Sequence, residues 1–299
     1  MQWPNIEVII GGRIKVRDGF RAVYFINAPH SSLRDPVSKA LDCYMDAVGF
    51  ENLRLFVDEQ GDTNELTSAA ITDLLTSRFS DDYELDGGLA ILSTDIGIAD
   101  ARFYYYGTEL PDPRNPGLRN YVDLWFPTKL FHERGADGMA KLFTDIGNLF
   151  PLSSAYASPA LLYNQEVAEA ARRTVRFPGF DILDPAAVCV DIGNRIPGVY
   201  WLLLIGQDLA GGLGGVEMLR SRLFEGATVT PSGESLCIRL GPEPVVGDRN
   251  RQGREMDLYR SAAHLLEPLL HEPKITYILD ESGLPDREAL ERWYRRFLK

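Results

Sequence analysis

Cysteine and histidine are scarce in this chain, three and four of them respectively in 299 residues. Cys43, Cys189 and Cys237 are odd in number and lie in apolar runs. That pattern suits buried, reduced thiols better than a disulfide frame or a metal site. His30, His132, His264 and His271 are scattered, and no cysteine pair has the spacing of a zinc site. His264 and His271 stand seven apart on a helical stretch broken near Pro268, so they are not expected to share a metal. Long apolar runs are also missing. One of the longest, residues 199–205, has seven residues, against the roughly 20 needed to cross a bilayer. The N-terminus has no basic segment followed by an apolar one, so no signal peptide is expected, and the expected location is the cytoplasm.

Motifs for phosphate binding and nucleophilic catalysis are lacking as well. The cluster Gly211-Gly212-Leu213-Gly214-Gly215 suggests a dinucleotide fingerprint, but its third glycine position is Glu217. A carboxylate there would repel pyrophosphate and keep the helix off its strand. No P-loop is present, and no Gly-x-Ser-x-Gly elbow; Ser232-Gly233-Glu234-Ser235 reads as a turn. The oxygen-rich loop of Asp58, Asp62, Asn64 and Glu65 departs from the EF-hand order. The residues therefore nominate no catalytic group, cofactor or metal ligand.

Basic residues are short in one region. Residues 42–100 hold 14 Asp and Glu against only Arg54 and Arg78, which accounts for the whole net charge of −12. Such a block disfavours nucleic acid and anionic membrane as partners. It suits a basic partner, such as the groove of a nuclease that must itself hold phosphates. The ordinary alternative is that acidic residues keep the chain soluble.

An apolar content of 45% is ample for a core. The organising stretch is 195–248. Its seven-residue apolar run closes at Gly206 and reads as a strand buried on both faces. An amphipathic helix at 216–224 and a hairpin around Pro231-Ser232-Gly233 follow. The loop 242–250 comes next, where Gly247, Asp248 and Asn250 predict a rigid turn. Arg249 on that loop is a candidate contact residue.

Elsewhere, residues 1–19, with Gly11-Gly12 and alternating Ile14 and Val16, read as a strand or the start of a hairpin, and strands are expected at 21–27, 52–57, 88–94, 102–107, 121–126, 154–162 and 274–279. Helices are expected at 37–48, 67–79, 138–150, 165–173 and 286–297. In the strand at 102–107, alternation buries one side of Tyr104-Tyr105-Tyr106 and leaves the other for solvent or a partner. This mixture predicts an α+β protein. A largely antiparallel sheet would carry helices on one face, as a single compact domain over 1–299. Residues 1–176 and 177–299 could be two ferredoxin-like halves sharing the sheet.

The ordered segments IPGVYWLLLIG, LGGVEMLRSRL, LCIRLGPEPVVGDRNR and YRSAAHLLEPLL resemble the type VI immunity family. The likeness covers about residues 20–272 and is tightest after Phe177. It implies an immunity protein that neutralises a toxin delivered by a type VI secretion system, with no catalytic residue to carry over.

Combined with the charge, the expected mechanism is stoichiometric occlusion of a basic, nuclease-like toxin. The contact would be an acidic surface of Asp58, Glu59, Asp62, Glu65, Asp81, Asp82, Glu84 and Asp86. The alternative is an enzyme acting on a small molecule or reversing a toxin's modification. A cleft holding His132 or His264 beside a carboxylate would favour it. Oligomeric state is not fixed by the sequence.

Overall fold

The computed structural model describes residues 3–80, 87–212, 214–223, 225–250, 256–280 and 282–298. Its frame is β2 (Arg13–Ile26), which pairs with β1 (Glu7–Ile10), β7 (Asn120–Pro127) and β8 (Leu152–Tyr163). The separate strand expected at 21–27 is the continuation of β2. Gly19, which reads as a break, instead permits close approach: a Cβ there would lie 2.5 Å from Leu162 Cδ1.

The remaining strands are β3 (Leu55–Val57), β4 (Thr63–Glu65), β5 (Gly87–Leu92), β6 (Arg102–Gly107), β9 (Leu202–Gly206), β10 (Ala227–Ser232) and β11 (Ser235–Leu240). Among the described residues they form one eleven-stranded sheet in the order β10-β11-β9-β8-β2-β7-β6-β5-β3-β4, with β1 added to β2. Every strand pairing described is antiparallel. The protein is α+β with a large antiparallel sheet.

Two helices give the first part its path. These are α1 (Arg34–Val48), after β2, and α3 (Thr128–Gly147), between β7 and β8. With the spatial order β8-β2-β7-β6 they trace the β-α-β-β-α-β path of a ferredoxin-like unit. Inserted before β6 are β3, β4, α2 (Ser68–Arg78) and β5. Later in the chain come β9, α6 (Gln207–Gly212), α7 (Gly215–Arg222), β10 and β11, then α8 (Asp257–Leu266). Residues 274–279 are not the expected strand; only an isolated bridge, Leu279 to Pro285, forms there.

The run 199–205 is buried throughout, as expected for a strand covered on both sides. Its glycine cluster does not sit between strand and helix. The helix α6 follows β9 directly, and Gly214 and Gly215, both at positive φ, turn the chain from α6 into α7. The cluster is a helix–helix turn.

Helices lie on both faces of the sheet, not on one. On the first face Tyr24 of β2 donates to the carbonyl of Phe143 in α3 at 3.1 Å, and Leu204 of β9 touches Gly147. Across the sheet Tyr156 of β8 stacks on Tyr200 at 3.9 Å between ring centroids. Arg296, just past α9 (Arg287–Tyr294), lies over the Tyr200 ring. Elements from α4 (Val167–Arg176) and α5 (Pro185–Cys189) onward cover this second face. Period-2 alternation cannot say which side a later segment will cover.

A buried ion cluster fastens that cover. Arg21 of β2 forks onto Asp123 of β7 at 2.7 and 2.8 Å and reaches Asp181 at 3.4 Å and the Leu183 carbonyl. Arg102 of β6 also donates to Asp123, and Tyr156 donates to Asp181 at 2.9 Å. Burial alone would push the Asp123 carboxyl up, yet Arg21 and Arg102 hold it below its ordinary value. Burial dominates for Asp181, whose carboxyl is raised. Truncating Arg21 removes the charged partner of Asp181 and leaves buried Asp123 with Arg102 alone. Arg21→Ala is therefore expected to cost about 3–5 kcal/mol of stability, read as a lowered urea midpoint. A loss within about 1 kcal/mol, the scale of an exposed ion pair, would show the cluster does not fasten the fold.

Candidate functional site

Asp58, Glu59, Asp62 and Glu65 lie at one end of the sheet, on the outermost hairpin formed by β3 and β4. Leu55 pairs with Glu65 and Val57 with Thr63. Asp58 closes the hairpin from inside. Its Oδ1 accepts from the backbone N–H of Gln60 and Asp62 at 3.0 and 2.9 Å, and its Oδ2 from Asn64 Nδ2 at 2.7 Å. Desolvation pushes this carboxyl up, and the donors outweigh it and hold it below its ordinary value. The resemblance to a calcium loop ends there, because N–H groups already occupy both oxygens. Asp58 is a turn-former. Glu59, Asp62 and Glu65 are exposed, with Glu59 Oε1 lying 3.9 Å from Arg78. Asp81, Asp82, Glu84 and Asp86 lie outside the described residues.

The hairpin joins the sheet where Leu55 and Phe56 of β3 pair with β5, and α2 packs on β5 beside it. Thr67 caps this helix by accepting from the Ala70 N–H at 3.1 Å. At its other end the Arg78 carbonyl meets His30 Nε2 at 2.8 Å, and His30 Nδ1 meets the Tyr105 hydroxyl at 2.8 Å. A carbonyl can only accept, so Nε2 carries the proton and Nδ1 accepts from tyrosine. Phe79 stacks on His30 at 4.4 Å.

Alternation makes the two sides of this end of the sheet unlike. Phe103, Tyr105, Leu89 and Ile91 point toward α1 and α2 and are buried. Arg102, Tyr104 and Tyr106 point the other way and stay partly exposed, as the sequence predicts for this strand. Their neighbours Leu92, Leu55 and Val57 are also partly exposed and lie outside both core clusters. Among the described residues, this half of the second face is open.

Other predicted residues fall elsewhere. Arg249 is exposed beside a cleft of about 280 Å³ between α4 and α9. Its loop is rigid as expected: Asp248 accepts from Asn250 N–H at 3.0 Å and from the Arg176 fork at 2.9 and 2.8 Å. Burial pushes the Cys237 thiol up to about 11, and Cys43, Cys189 and Cys237 form no disulfide. His132 lies against Trp3 and Phe131, and His264 is exposed.

The histidine that meets a carboxylate is His271, which sequence reasoning passed over. Its Nε2 is 2.6 Å from Asp191 Oδ1, and its backbone N–H donates to the Ile196 carbonyl at 2.8 Å. Both groups are buried, and His271 Nδ1 has no hydrogen-bond partner among the described residues. The pair staples residues 270–274 onto the chain ahead of β9. Burial lowers the His271 pKa, against the pull of Asp191. The unfolded chain therefore takes up a proton first as pH falls below about 6.5, and the fold loses stability there. His271→Gln is expected to flatten the decline in melting temperature between about pH 7 and pH 5. An unchanged pH profile would remove this staple as its source.

The strongest polar constellations are thus buried and paired internally, while unused charge and apolar surface lie on an open sheet face and edge. The chain belongs to the TsiV family, type VI immunity for VRR-NUC, which it matches over residues 36–297. Among solved structures it is similar to the Pseudomonas aeruginosa T6SS protein PA0821 at TM-score 0.80 and 19% identity. That likeness covers 95% of this chain and 83% of the other and shows a shared fold. No curated protein matches the chain. No helix among the described residues is long and apolar enough to cross a membrane.

Proposed function

We propose that this protein neutralises a VRR-NUC nuclease effector by binding it stoichiometrically in the cytoplasm and occluding its catalytic groove. The observation that carries this reading is the family match across residues 36–297. Charge supports it. A nuclease must present positive potential to hold a phosphate backbone, and this chain carries all its net negative charge within residues 42–100. Glu59, Asp62 and Glu65 stand exposed at the sheet edge, where they can steer a basic groove toward the surface. The acidic contact also includes Asp58, Asp81, Asp82, Glu84 and Asp86. Asp58 acts there by holding the hairpin's shape, since its own oxygens are occupied.

The test is a titration of purified VRR-NUC effector nuclease with this protein while DNA cleavage is followed. Cleavage is expected to stop at a fixed small molar ratio. Complete protection far below equimolar amounts would point to an enzyme instead. Replacing Glu59, Asp62, Glu65, Asp81, Asp82, Glu84 and Asp86 by their amides is expected to slow association by about 10-fold or more at low salt. It should also flatten the dependence on ionic strength. If association rate and salt dependence both stay at the wild-type values, the acidic surface is not the contact.

A further inference from the structure

The acidic edge says how a basic partner would approach; the open sheet face beside it says where the partner would be held. We infer that the VRR-NUC effector docks on the open half of the second sheet face, with Ile9 and Ile96 as its apolar anchors. This deepens the reading above and rests on it.

The anchors come from two segments that are remote in sequence. β1 and β2 pair with a register shift: Val8 faces Val16 but Ile9 faces Ile14, leaving Lys15 as the extra residue. Such a bulge re-aims the side chains beyond it. Here it brings Ile14 to the side of Ile98 and Trp125, where it packs in a small cluster apart from the main core. Ile9, opposite Ile14, faces the same way and is 63% exposed. The turn between β5 and β6 lies against this hairpin, since the Ile98 N–H donates to the Ile14 carbonyl at 3.0 Å. Ile96, on that turn, is 71% exposed. A large aliphatic side chain can be exposed singly without meaning. Two brought together through one shared strand residue, beside an open sheet face, form a surface.

From Ile96 the chain leads back into β5 through Leu92, whose register partner is Leu55 on β3, and Leu55 in turn pairs with Glu65 on β4. The far border is thus acidic: Glu65 lies at the edge, and Asp95, next to Ile96, accepts from the Thr63 hydroxyl at 3.3 Å. On the inner border Arg102 lies over the Trp125 ring at 3.4 Å from its centroid and is tied to Asp123, so its guanidinium is fixed in place. An apolar middle with a charged rim is the anatomy of a protein interface. The acidic rim selects a basic occupant, here the nuclease, over a second copy of this acidic chain.

The experiment measures inhibition of the VRR-NUC nuclease by the full chain carrying Ile9→Asp and Ile96→Asp together. Both side chains are exposed, so the fold should stand, with far-UV circular dichroism as the check. The inhibition constant is expected to rise by about 100-fold or more, the loss of two interface anchors. Val175→Asp with Leu284→Asp, at 64% and 62% exposure on other elements, is the control and should change it by less than about 3-fold. A double Ile variant that inhibits like the wild type overturns the docking surface while leaving stoichiometric neutralisation intact. Equal losses in both variants overturn it too. A wild-type chain that fails to inhibit the nuclease overturns the functional reading and this surface with it. Loss of self-association in the Ile variant, with inhibition unchanged, would make a second copy the occupant and overturn the proposal.

Discussion

The buried fork of Arg21 onto Asp123, with its reach to Asp181, is the contact on which the rest of the architecture depends. It joins two neighbouring strands of the sheet centre to a segment that arrives much later in the chain. Charges are costly to bury unless each is paired and hydrogen-bonded. Asp181 cannot shift along the sheet without leaving Arg21 short of an acceptor. The cover on the second face is pinned there, and its reach follows. Asn115 donates to the Val190 carbonyl at 2.7 Å, Arg119 to the Cys189 carbonyl at 2.9 Å, and Gly193 to the Gly117 carbonyl at 2.8 Å. These contacts hold the cover against the loop that leads into β7. Beyond β7, the outward-facing residues of β6, β5 and β3 stay partly exposed. The open half of the sheet follows from where the ion cluster anchors its cover.

Charge and apolar surface then divide the work of recognition by magnitude. An exposed carboxylate at a rim contributes roughly 0–1 kcal/mol to a settled complex and is screened by salt over about 8–10 Å. A fully buried isoleucine contributes about 1.5–3 kcal/mol and is indifferent to salt. Glu59, Asp62 and Glu65 can raise the encounter rate with a basic groove, but they cannot supply a long residence time. Ile9 and Ile96 can. A surface built this way associates in a salt-dependent manner and dissociates in a salt-independent one.

Much of this was legible in the sequence, for identifiable reasons. The strand 102–107 and the buried run 199–205 follow from side-chain period and branched or aromatic content, which hold whatever packs above them. Helix caps are local in the same way: polar residues at 64, 67 and 286 make either Asn64 or Thr67, and Asp286, candidates, and in the structure Thr67 and Asp286 each accept from the N–H three residues on. Errors arose where one residue type serves two opposite ends. Gly19 reads as a break and is a close-packing point within β2. Residues 274–279 have strand composition, but only Leu279 finds a bridge partner, Pro285. The helices on the second face and the Arg21 cluster depend on contacts across more than 100 residues, which no local pattern carries.

The functional surface was half legible for the same reason. Charge is additive, so the acidic block of 42–100 could be counted without knowing the fold. Its geometry could not: Asp58 looks like its acidic neighbours in sequence, yet its oxygens are filled by its own hairpin, while Glu65 is turned outward by the register of β4 on β3. The apolar half left no signal at all. An isoleucine at position 9 or 96 reads as core, and only the register shift at Lys15 and the bond from Ile98 to Ile14 place both side chains at the margin of one open face. A substitution that restored regular pairing at Lys15 would turn Ile14 away from Ile98 and Trp125. The exposed Ile9 would then lose its place beside Ile96 although neither side chain had been altered. The proposed binding surface is thus a property of strand register before it is a property of the residues displayed on it.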